Sequence, residues 1–332
     1  MLEKILNNKF FVIYFIPFFL GIITIFGFAP YNLTFINFFS FSILLYLIFL
    51  VKNKTKSKYI KKKSNRYFFY LGCAFGFGFF FAGTYWISIS LTHDPAFELL
   101  IPFAAILVPL FLSLFFGLAI FILGSFAEKN ISFILIFSLF FSLFEFLRGN
   151  ILTGFPWNLV SYTWSWSIET IQLLSLIGAY SLSLISITFF CIPFLFFQKK
   201  ILKKNIIFTA LFITFFGLNY LFGTLSLNNK YKFDEDTSIK IVSPNFSIED
   251  YKTKNEINIL KRLIEISNPK KNKKTLFIWP EGVFYESYLQ DIKNYKNIFQ
   301  DKFSKNHLII FGVTNFIMDE TSGNKKYFNS LV

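Results

Sequence analysis

Residues 99–125 read LLIPFAAILVPLFLSLFFGLAIFILGS, an unbroken run without a charged residue. A helix that crosses a bilayer needs about 20 predominantly apolar residues, because it rises about 1.5 Å per residue across about 30 Å of hydrocarbon. This run is therefore long enough to span a membrane. The whole chain is similarly apolar, since 54% of its residues are hydrophobic and 22% are aromatic. A soluble domain rarely has this composition.

The same criterion identifies seven spans, and we predict a polytopic α-helical membrane bundle over residues 1–227. The predicted spans are roughly 10–28, 34–51, 67–91, 99–125, 131–147, 170–197 and 206–226. The N-terminus has a basic start but no cleavage-site pattern, so we interpret it as a retained first helix.

The basic loops predict the orientation of these spans. The loop KNKTKSKYIKKKSNR (52–66) has eight positive charges and no acid, which places it in the cytoplasm by the positive-inside rule. If each span crosses once, AEKN (127–130) and QKKILKKN (198–205) are also cytoplasmic, whereas THDPAFE (92–98) lies on the far side. The N-terminus is then cytoplasmic and the residues after 227 are periplasmic. Topology thus explains the net charge of +14 better than nucleic-acid binding does.

Residues 228–332 have a different character and predict the start of a soluble domain. Three short apolar stretches have the pattern of buried strands: IKIVSPNF (239–246), TLFIW (275–279) and HLIIFGV (307–313). Between the first two, Ile257, Leu260, Leu263 and Ile264 recur at helical spacing, which predicts a β-α-β unit. NPKKNKK (268–274) is predicted to be a solvated loop.

Glu281 is the sharpest catalytic candidate in the sequence. It follows the predicted strand TLFIW and Pro280, at the position where α/β sheets place reactive groups. A partly desolvated carboxylate there has the properties of a general base. By itself, an acid after a strand is more often a solvated loop residue or a helix cap.

A second cluster is EFLRGNILTGFPWNLVSYTW (145–164), at the predicted periplasmic end of the fifth span. Glu145 and Arg148 are three residues apart on one helix face and are expected to pair. Pro156 and Trp157 lie in a turn at the level of the lipid headgroups. An ordinary aromatic belt explains the tryptophans but requires neither proline nor glycine.

The segment FGFGFFFAGTYWISISL (75–91) places Trp86 near the same surface. Close helix packing explains its glycines. The two cysteines, Cys73 and Cys191, are far apart in apolar runs, so neither a metal site nor a disulfide is indicated. We expect no cofactor and no metal.

Several segments together resemble the apolipoprotein N-acyltransferase family, a group of nitrilase-like membrane enzymes. They are FGFAPYNL (26–33), GTYWISISL (83–91), EFLRGNILTGFPWNL (145–159), WPE (279–281) and FGV…YFNS (311–330). The resemblance implies eight membrane helices, with a periplasmic nitrilase-like α-β-β-α domain between the seventh and the eighth. It also implies an inner-membrane location.

The resemblance further implies the last step of lipoprotein maturation. A cysteine takes an acyl chain from a phospholipid as a thioester and passes it to the α-amino group of the diacylglyceryl cysteine of an apolipoprotein. Glu281 falls on the family's base, whereas its lysine and cysteine would lie downstream of YFNS. We therefore interpret the sequence as a C-terminally truncated and inactive fragment of a monomeric enzyme.

Substrate contacts are expected at Arg148, Pro156, Trp157, Trp86 and Asn245. Around Asn245 the sequence departs from the family, because Ser243 and Pro244 replace a Gln-Gly pair and a following tryptophan is absent. Two alternatives stay open. A membrane-anchored nitrilase-type amidase would release its product to water, and a transporter would need charges along its spans, which are nearly absent.

Overall fold

The computed structural model describes residues 6, 8–54, 61–197, 202–228, 236–247, 250–251, 255–319 and 324–332. The chain divides into a helical unit, Met1–Lys230, and a second unit, Tyr231–Val332. The centres of the two basic loops, 55–60 and 198–201, and the junction 229–235 lie outside the described residues. The orientation and the boundary at 227 therefore stay predictions.

Seven principal helices lie in the described residues of the helical unit. They are α1 (Phe11–Ile25), α2 (Ile36–Lys54), α3 (Lys61–Thr84), α4 (Ile101–Leu123), α5 (Ile131–Asn150), α6 (Leu174–Phe190) and α7 (Lys203–Asn228). Helices α2 to α7, with their flanking turns, give six candidate membrane spans among the described residues. The remaining predicted span, 10–28, corresponds to α1. This helix is shorter than predicted because the chain turns at Phe26. The protein is thus a multi-pass helical membrane protein.

Close contacts between glycine and backbone join α1 to α3. A Cβ atom added to Gly78 would overlap the carbonyl oxygen of Phe18, and one added to Gly21 would overlap that of Phe75. The prediction that glycines in 75–91 serve close packing is confirmed at Gly78. The core beside this contact is aromatic, as shown by Phe116 and Phe141, whose rings stack with centroids 4.3 Å apart.

The turns between helices explain the ends of several spans. Asn130 caps α5 by accepting a hydrogen bond from the Phe133 N–H at 2.8 Å. Asp94 similarly accepts from the Ala96 N–H at 3.0 Å and starts the 3-10 turn Pro95–Leu100 before α4. Gly178, with φ 76°, breaks α6 near its beginning.

The second unit contains a three-stranded parallel sheet and a separate antiparallel ribbon. The sheet has the order β1 (Thr237–Ile241), β2 (Lys274–Ile278) and β3 (His307–Ile310). Helix α8 (Glu256–Ser267) connects β1 to β2, which confirms the predicted β-α-β unit. The 3-10 helix Leu289–Tyr295 and α9 (Lys296–Lys302) precede β3.

The second unit differs from the sequence analysis in three details. β1 ends at Ile241, five residues before the predicted end of the strand 239–246. In α8 Ile257 is exposed, and Ile259 is buried beside Leu260 and Leu263. The predicted strand 307–313 is divided at Phe311, because β4 (Gly312–Met318) leaves the sheet and pairs with β5 (Lys325–Leu331). The loop 268–274 is largely exposed, as predicted.

Candidate active site

Glu281 lies three residues beyond the end of β2, at the carboxyl edge of the parallel sheet. The strand direction continues through Trp279, whose N–H donates to the Ile310 carbonyl at 2.9 Å and whose ring is buried in the core. Pro280 then ends the ladder because it has no N–H to donate. Gly282 follows with φ 76°, a left-handed conformation that glycine adopts without steric cost. The buried Trp279 therefore fixes the point from which Glu281 projects.

A cavity of about 280 Å³ lies beside this carboxylate. Its lining residues come from the end of β2 and from the ribbon: Trp279, Glu281, Gly312, Asn329, Ser330 and Leu331. The absence of a side chain at Gly312 makes room for Glu281. A Cβ atom placed on Gly312 would lie 3.3 Å from Glu281 Cγ.

Asn329 provides the polar partner of Glu281. Its side-chain Nδ2 donates a hydrogen bond to Glu281 Oε1. The register of the ribbon sets this position, since Thr314 on β4 pairs with Asn329 on β5. A bridge between Phe284 and Val313 also ties the segment after Glu281 to β4. A carboxylate oriented by an amide, with a cavity beside it, can accept a proton from a nucleophile placed there.

The carboxylate of Glu281 is exposed, whereas the sequence analysis expected it to be partly desolvated. The cavity beside it is lined only by the end of β2 and by the ribbon, among the described residues of the second unit. Those residues also contain no group of three or more His, Cys, Asp or Glu side chains that could hold a metal ion.

Asn245 lies beyond the carboxyl end of β1, the strand next to β2. It has φ 50° and is exposed. Because parallel neighbours end at the same edge of a sheet, Asn245 and Glu281 share that edge. Between these two described side chains the structure contains no hydrogen bond.

The turn after α5 is organised by Arg148. Its guanidinium Nη1 donates to the carbonyl oxygens of Phe155 at 2.6 Å and Trp157 at 2.7 Å. The side chain is 1% exposed and lies over the Phe80 ring, 5.0 Å from its centroid. Three consecutive residues before Phe155, residues 152–154, have positive φ. Arg148 thus stabilises a turn whose backbone is strained at its non-glycine positions.

The predicted ion pair between Glu145 and Arg148 does not form. Both side chains are buried on the same face of α5, yet no ion pair within 4.0 Å joins them. Glu145 Oε1 instead accepts from the Val160 N–H at 3.0 Å. Each charged group therefore binds the backbone of the following turn, which draws the two side chains to different ends of it.

Trp86 and Trp157 meet at the surface of the helical unit, with ring centroids 5.0 Å apart. Both are about half exposed. Trp86 Nε1 and Asn158 Nδ2 donate to the same carbonyl oxygen, that of Gly83, at 3.2 and 3.1 Å. Pro156 is exposed in the same turn. The structure brings together four of the residues predicted to contact substrate: Arg148, Pro156, Trp157 and Trp86.

Sequence reasoning missed the roles of Asn329 and Gly312. Both occur in segments that carried the family resemblance, YFNS and FGV, but neither was assigned a function there. Their contacts with Glu281 join residues that are 48 and 31 positions apart, and no periodicity predicts the pairing of β4 with β5. The motif YFNS was the available signal.

Comparison with known proteins agrees with the resemblance. The family model of the apolipoprotein N-acyltransferase N-terminal domain matches residues 20–192. The apolipoprotein N-acyltransferase of Rickettsia bellii is 34% identical over 221 residues, which cover 66% of this chain and 44% of that protein. The enzyme of the same name from Rickettsia prowazekii is 34% identical over 227 residues, which cover 68% and 43%.

A more distant relative extends into the second unit. The apolipoprotein N-acyltransferase of Caulobacter vibrioides is 28% identical over 273 residues, covering 80% of this chain and 50% of that protein. Since 80% of 332 residues exceeds the 230 residues of the helical unit, this similarity includes part of the second unit. The chain spans about half the length of the curated relatives it matches.

Proposed function

This chain belongs to the apolipoprotein N-acyltransferase family, and we propose that its gene product transfers an acyl chain from a phospholipid to the diacylglyceryl cysteine of apolipoproteins. The observation that carries the proposal is the Glu281 site: a carboxylate at a sheet edge, oriented by Asn329 beside an open cavity. Family membership supplies the reaction class, namely acyl transfer. The site supplies a residue for proton transfer.

In the proposed reaction Glu281 is the general base of both half-reactions. It takes the proton of a cysteine thiol as sulfur attacks the ester carbonyl of the phospholipid, and gives that proton to the departing alkoxide of the lysophospholipid. In the second half-reaction it takes a proton from the α-amino group that attacks the thioester, and the cysteine leaves as the thiol after receiving that proton. General-base assistance of this kind contributes about 10²- to 10⁴-fold to a rate.

Neither Cys73 nor Cys191 is proposed as the nucleophile. Cys191 is completely buried at the end of α6, and Cys73 is half-buried in α3 beside Gly117. Both lie in the helical unit, packed among apolar side chains. We therefore propose that the reactive cysteine, and the lysine that stabilises the oxyanion, belong to the region of the gene product that corresponds to the unmatched part of its longer relatives.

The exposed face of the parallel sheet supports a nitrilase-like sandwich as the complete form of the second domain. Aliphatic side chains are aligned across its three strands in two rungs: Ile239, Leu276 and Leu308, then Ile241, Ile278 and Ile310. Ile241 is 79% exposed and Leu308 is 71% exposed. Inner faces of stacked sheets have this alternation, because another sheet covers them at about 10 Å.

The membrane part would admit the acyl donor. The Trp86–Trp157 pair is amphipathic and exposed, which suits contact with lipid at headgroup level. Arg148 stabilises the turn that carries Trp157. Pro156 is exposed in the same turn, and Asn245 is exposed at the carboxyl edge of the parallel sheet. We propose a bacterial inner-membrane protein with its second unit in the periplasm, acting as a monomer.

The test uses the gene product, purified in detergent and supplied with a phospholipid whose acyl chain is radiolabelled. We expect hydroxylamine-sensitive label on the protein and, after addition of a diacylglyceryl peptide, an N-acylated peptide in the mass spectrum. Glu281→Gln should lower the rate of labelling by about 100-fold or more. Glu265→Gln, which alters an exposed carboxylate on α8, is the matched control.

Two outcomes contradict the proposal. Normal labelling of the Glu281→Gln protein would remove the carboxylate from the reaction. Release of the acyl chain to water, equally fast with and without the peptide, would favour the membrane-anchored amidase instead.

A further inference from the structure

The carboxylate of Glu256 is buried and accepts four hydrogen bonds. Glu256 Oε2 accepts from the backbone N–H groups of Glu286 at 2.7 Å and Ser287 at 3.1 Å. Oε1 accepts from Ser287 Oγ and Tyr295 Oη, both at 2.6 Å. The residue is 2% exposed. A buried carboxylate is unfavourable unless its oxygens are satisfied, and here both are.

Glu256 occupies a fixed position because α8 is firmly packed. Ile259, Leu260 and Leu263 are fully buried against the sheet, and Asn255 caps the helix by accepting from the Ile257 N–H at 2.8 Å. The donors, in contrast, belong to the segment 286–295, part of the long connection between β2 and β3. Glu256 therefore ties this connection to the rigid part of the unit.

The tied segment begins five residues after Glu281. Residues Val283 and Phe284, which lie between, are buried, and Phe284 bridges to Val313 on β4. Gly282, with φ 76°, is the residue with the greatest backbone freedom in this stretch. The chain that carries Glu281 is thus fixed at Trp279 on one side and at Glu256 on the other.

A simple electrostatic role at the helix start does not account for this arrangement. A carboxylate in the first turn of a helix is favourable near the helix N-terminus even when it faces solvent. Glu256 is instead turned inward, and all four donors come from outside its own helix. Burial, followed by the hydrogen bond to Glu256, raises the pKa of the Tyr295 hydroxyl above its ordinary value.

We propose that Glu256 is a positioning residue, which fixes the segment 282–287 and thereby holds Glu281 against Asn329 and Gly312. Its importance for catalysis rests on the proposed role of Glu281 as base. The effect of Glu256 on the position of Glu281 is independent of that role and can be measured without turnover.

Disulfide trapping reports this position directly. A Cβ atom on Gly312 would lie 3.7 Å from Glu281 Cβ, which is the separation found in disulfides. The gene product would carry Glu281→Cys and Gly312→Cys, with Cys73→Ala, Cys191→Ala and alanine at any cysteine outside these 332 residues, so that only the engineered pair of thiols can cross-link. Its rate of oxidative cross-linking in detergent is then compared with and without Glu256→Ala.

We expect Glu256→Ala to slow cross-linking by about tenfold or more, because the released segment samples other positions. Glu265→Ala, on the exposed face of the same helix, should leave the rate unchanged. Hydrogen exchange, measured in parallel, should accelerate over 282–295 while α8 and β2 stay protected. An unchanged cross-linking rate in Glu256→Ala would overturn the proposal.

A milder variant covers the case in which Glu256→Ala unfolds the unit. The pair Ser287→Ala and Tyr295→Phe removes two of the four donors and no charge. Slower cross-linking with protected α8 would support the proposal, and an unchanged rate would overturn it. Since no acyl donor is present, these results are independent of whether the gene product transfers acyl chains.

Discussion

Asn329 donates a hydrogen bond from its side-chain amide to the carboxylate of Glu281, across the gap between β5 and the end of β2. Among the described residues, no other side chain donates a hydrogen bond to this carboxylate. The contact orients one oxygen of a carboxylate that lines the cavity. The amide therefore acts on the geometry of the base without changing its charge.

Replacement of Asn329 by alanine should lower the rate of acyl-thioester formation. A hydrogen bond to a charged group contributes about 1.5–3 kcal/mol, which corresponds to a loss of roughly 10- to 100-fold if it is realised in the transition state. The measurement is single-turnover labelling of the gene product with a radiolabelled phospholipid. Asn297→Ala, which removes an exposed asparagine of α9 that does not line the cavity, is the control. Equal rates for the two variants would show that the contact is not used.

The contact between α1 and α3 depends on Gly78. Substitution by isoleucine would force these helices apart, because a Cβ atom there already overlaps the Phe18 carbonyl oxygen. We expect overpacking of this kind to destabilise the helical unit by about 1–3 kcal/mol or more. Thermal unfolding in detergent measures the effect. Gly217→Ile is the matched control, because a Cβ atom on Gly217 in α7 has no described neighbour within 4 Å, and equal stability of the two variants would contradict the expectation.

Much of the fold could be predicted because its causes are local. Apolar runs identified the seven principal helices described in the membrane part, and the three apolar stretches after residue 228 identified β1, β2 and β3. The failures concern tertiary choices. Whether Ile257 or Ile259 faces the sheet depends on the rotation of α8, and both fit a helical period. The division at Phe311 depends on the partner strand β5, which no local pattern specifies.

The candidate site divides in the same way. The place of Glu281 follows from the strand that ends before it, so the sequence was sufficient. The partners Asn329 and Gly312 depend on the pairing of β4 with β5, and the Glu256 contacts depend on how the connection 279–306 folds back over α8. Glu145 and Arg148 were correctly placed on one helix face, but each satisfies the backbone of the turn rather than the other charge.

Substitution of Arg148 by methionine should destabilise the turn 155–160. It removes two hydrogen bonds from a charged donor and leaves the Glu145 carboxylate buried without a nearby cation, a loss of about 3 kcal/mol or more. Thermal unfolding and the fluorescence of Trp86 and Trp157 report it. Arg66→Met, at an exposed position of α3, is the control. Unchanged stability together with lost phospholipid binding would instead assign Arg148 to direct contact with the lipid phosphate.

The side of the membrane on which Glu281 lies is predicted by the basic loops, and the prediction does not depend on α1. Starting from the loop 52–66 in the cytoplasm, helices α3 to α7 make five crossings, so residues after Asn228 reach the periplasm whether or not the shorter α1 spans the bilayer. Alkaline phosphatase fused after Asn228 should therefore be active, and green fluorescent protein fused there should be dark. Fusions within residues 55–60 should give the opposite result and serve as the control. An inactive phosphatase after Asn228 would place Glu281 in the cytoplasm and not in the periplasm, and the proposed reaction would fail with it.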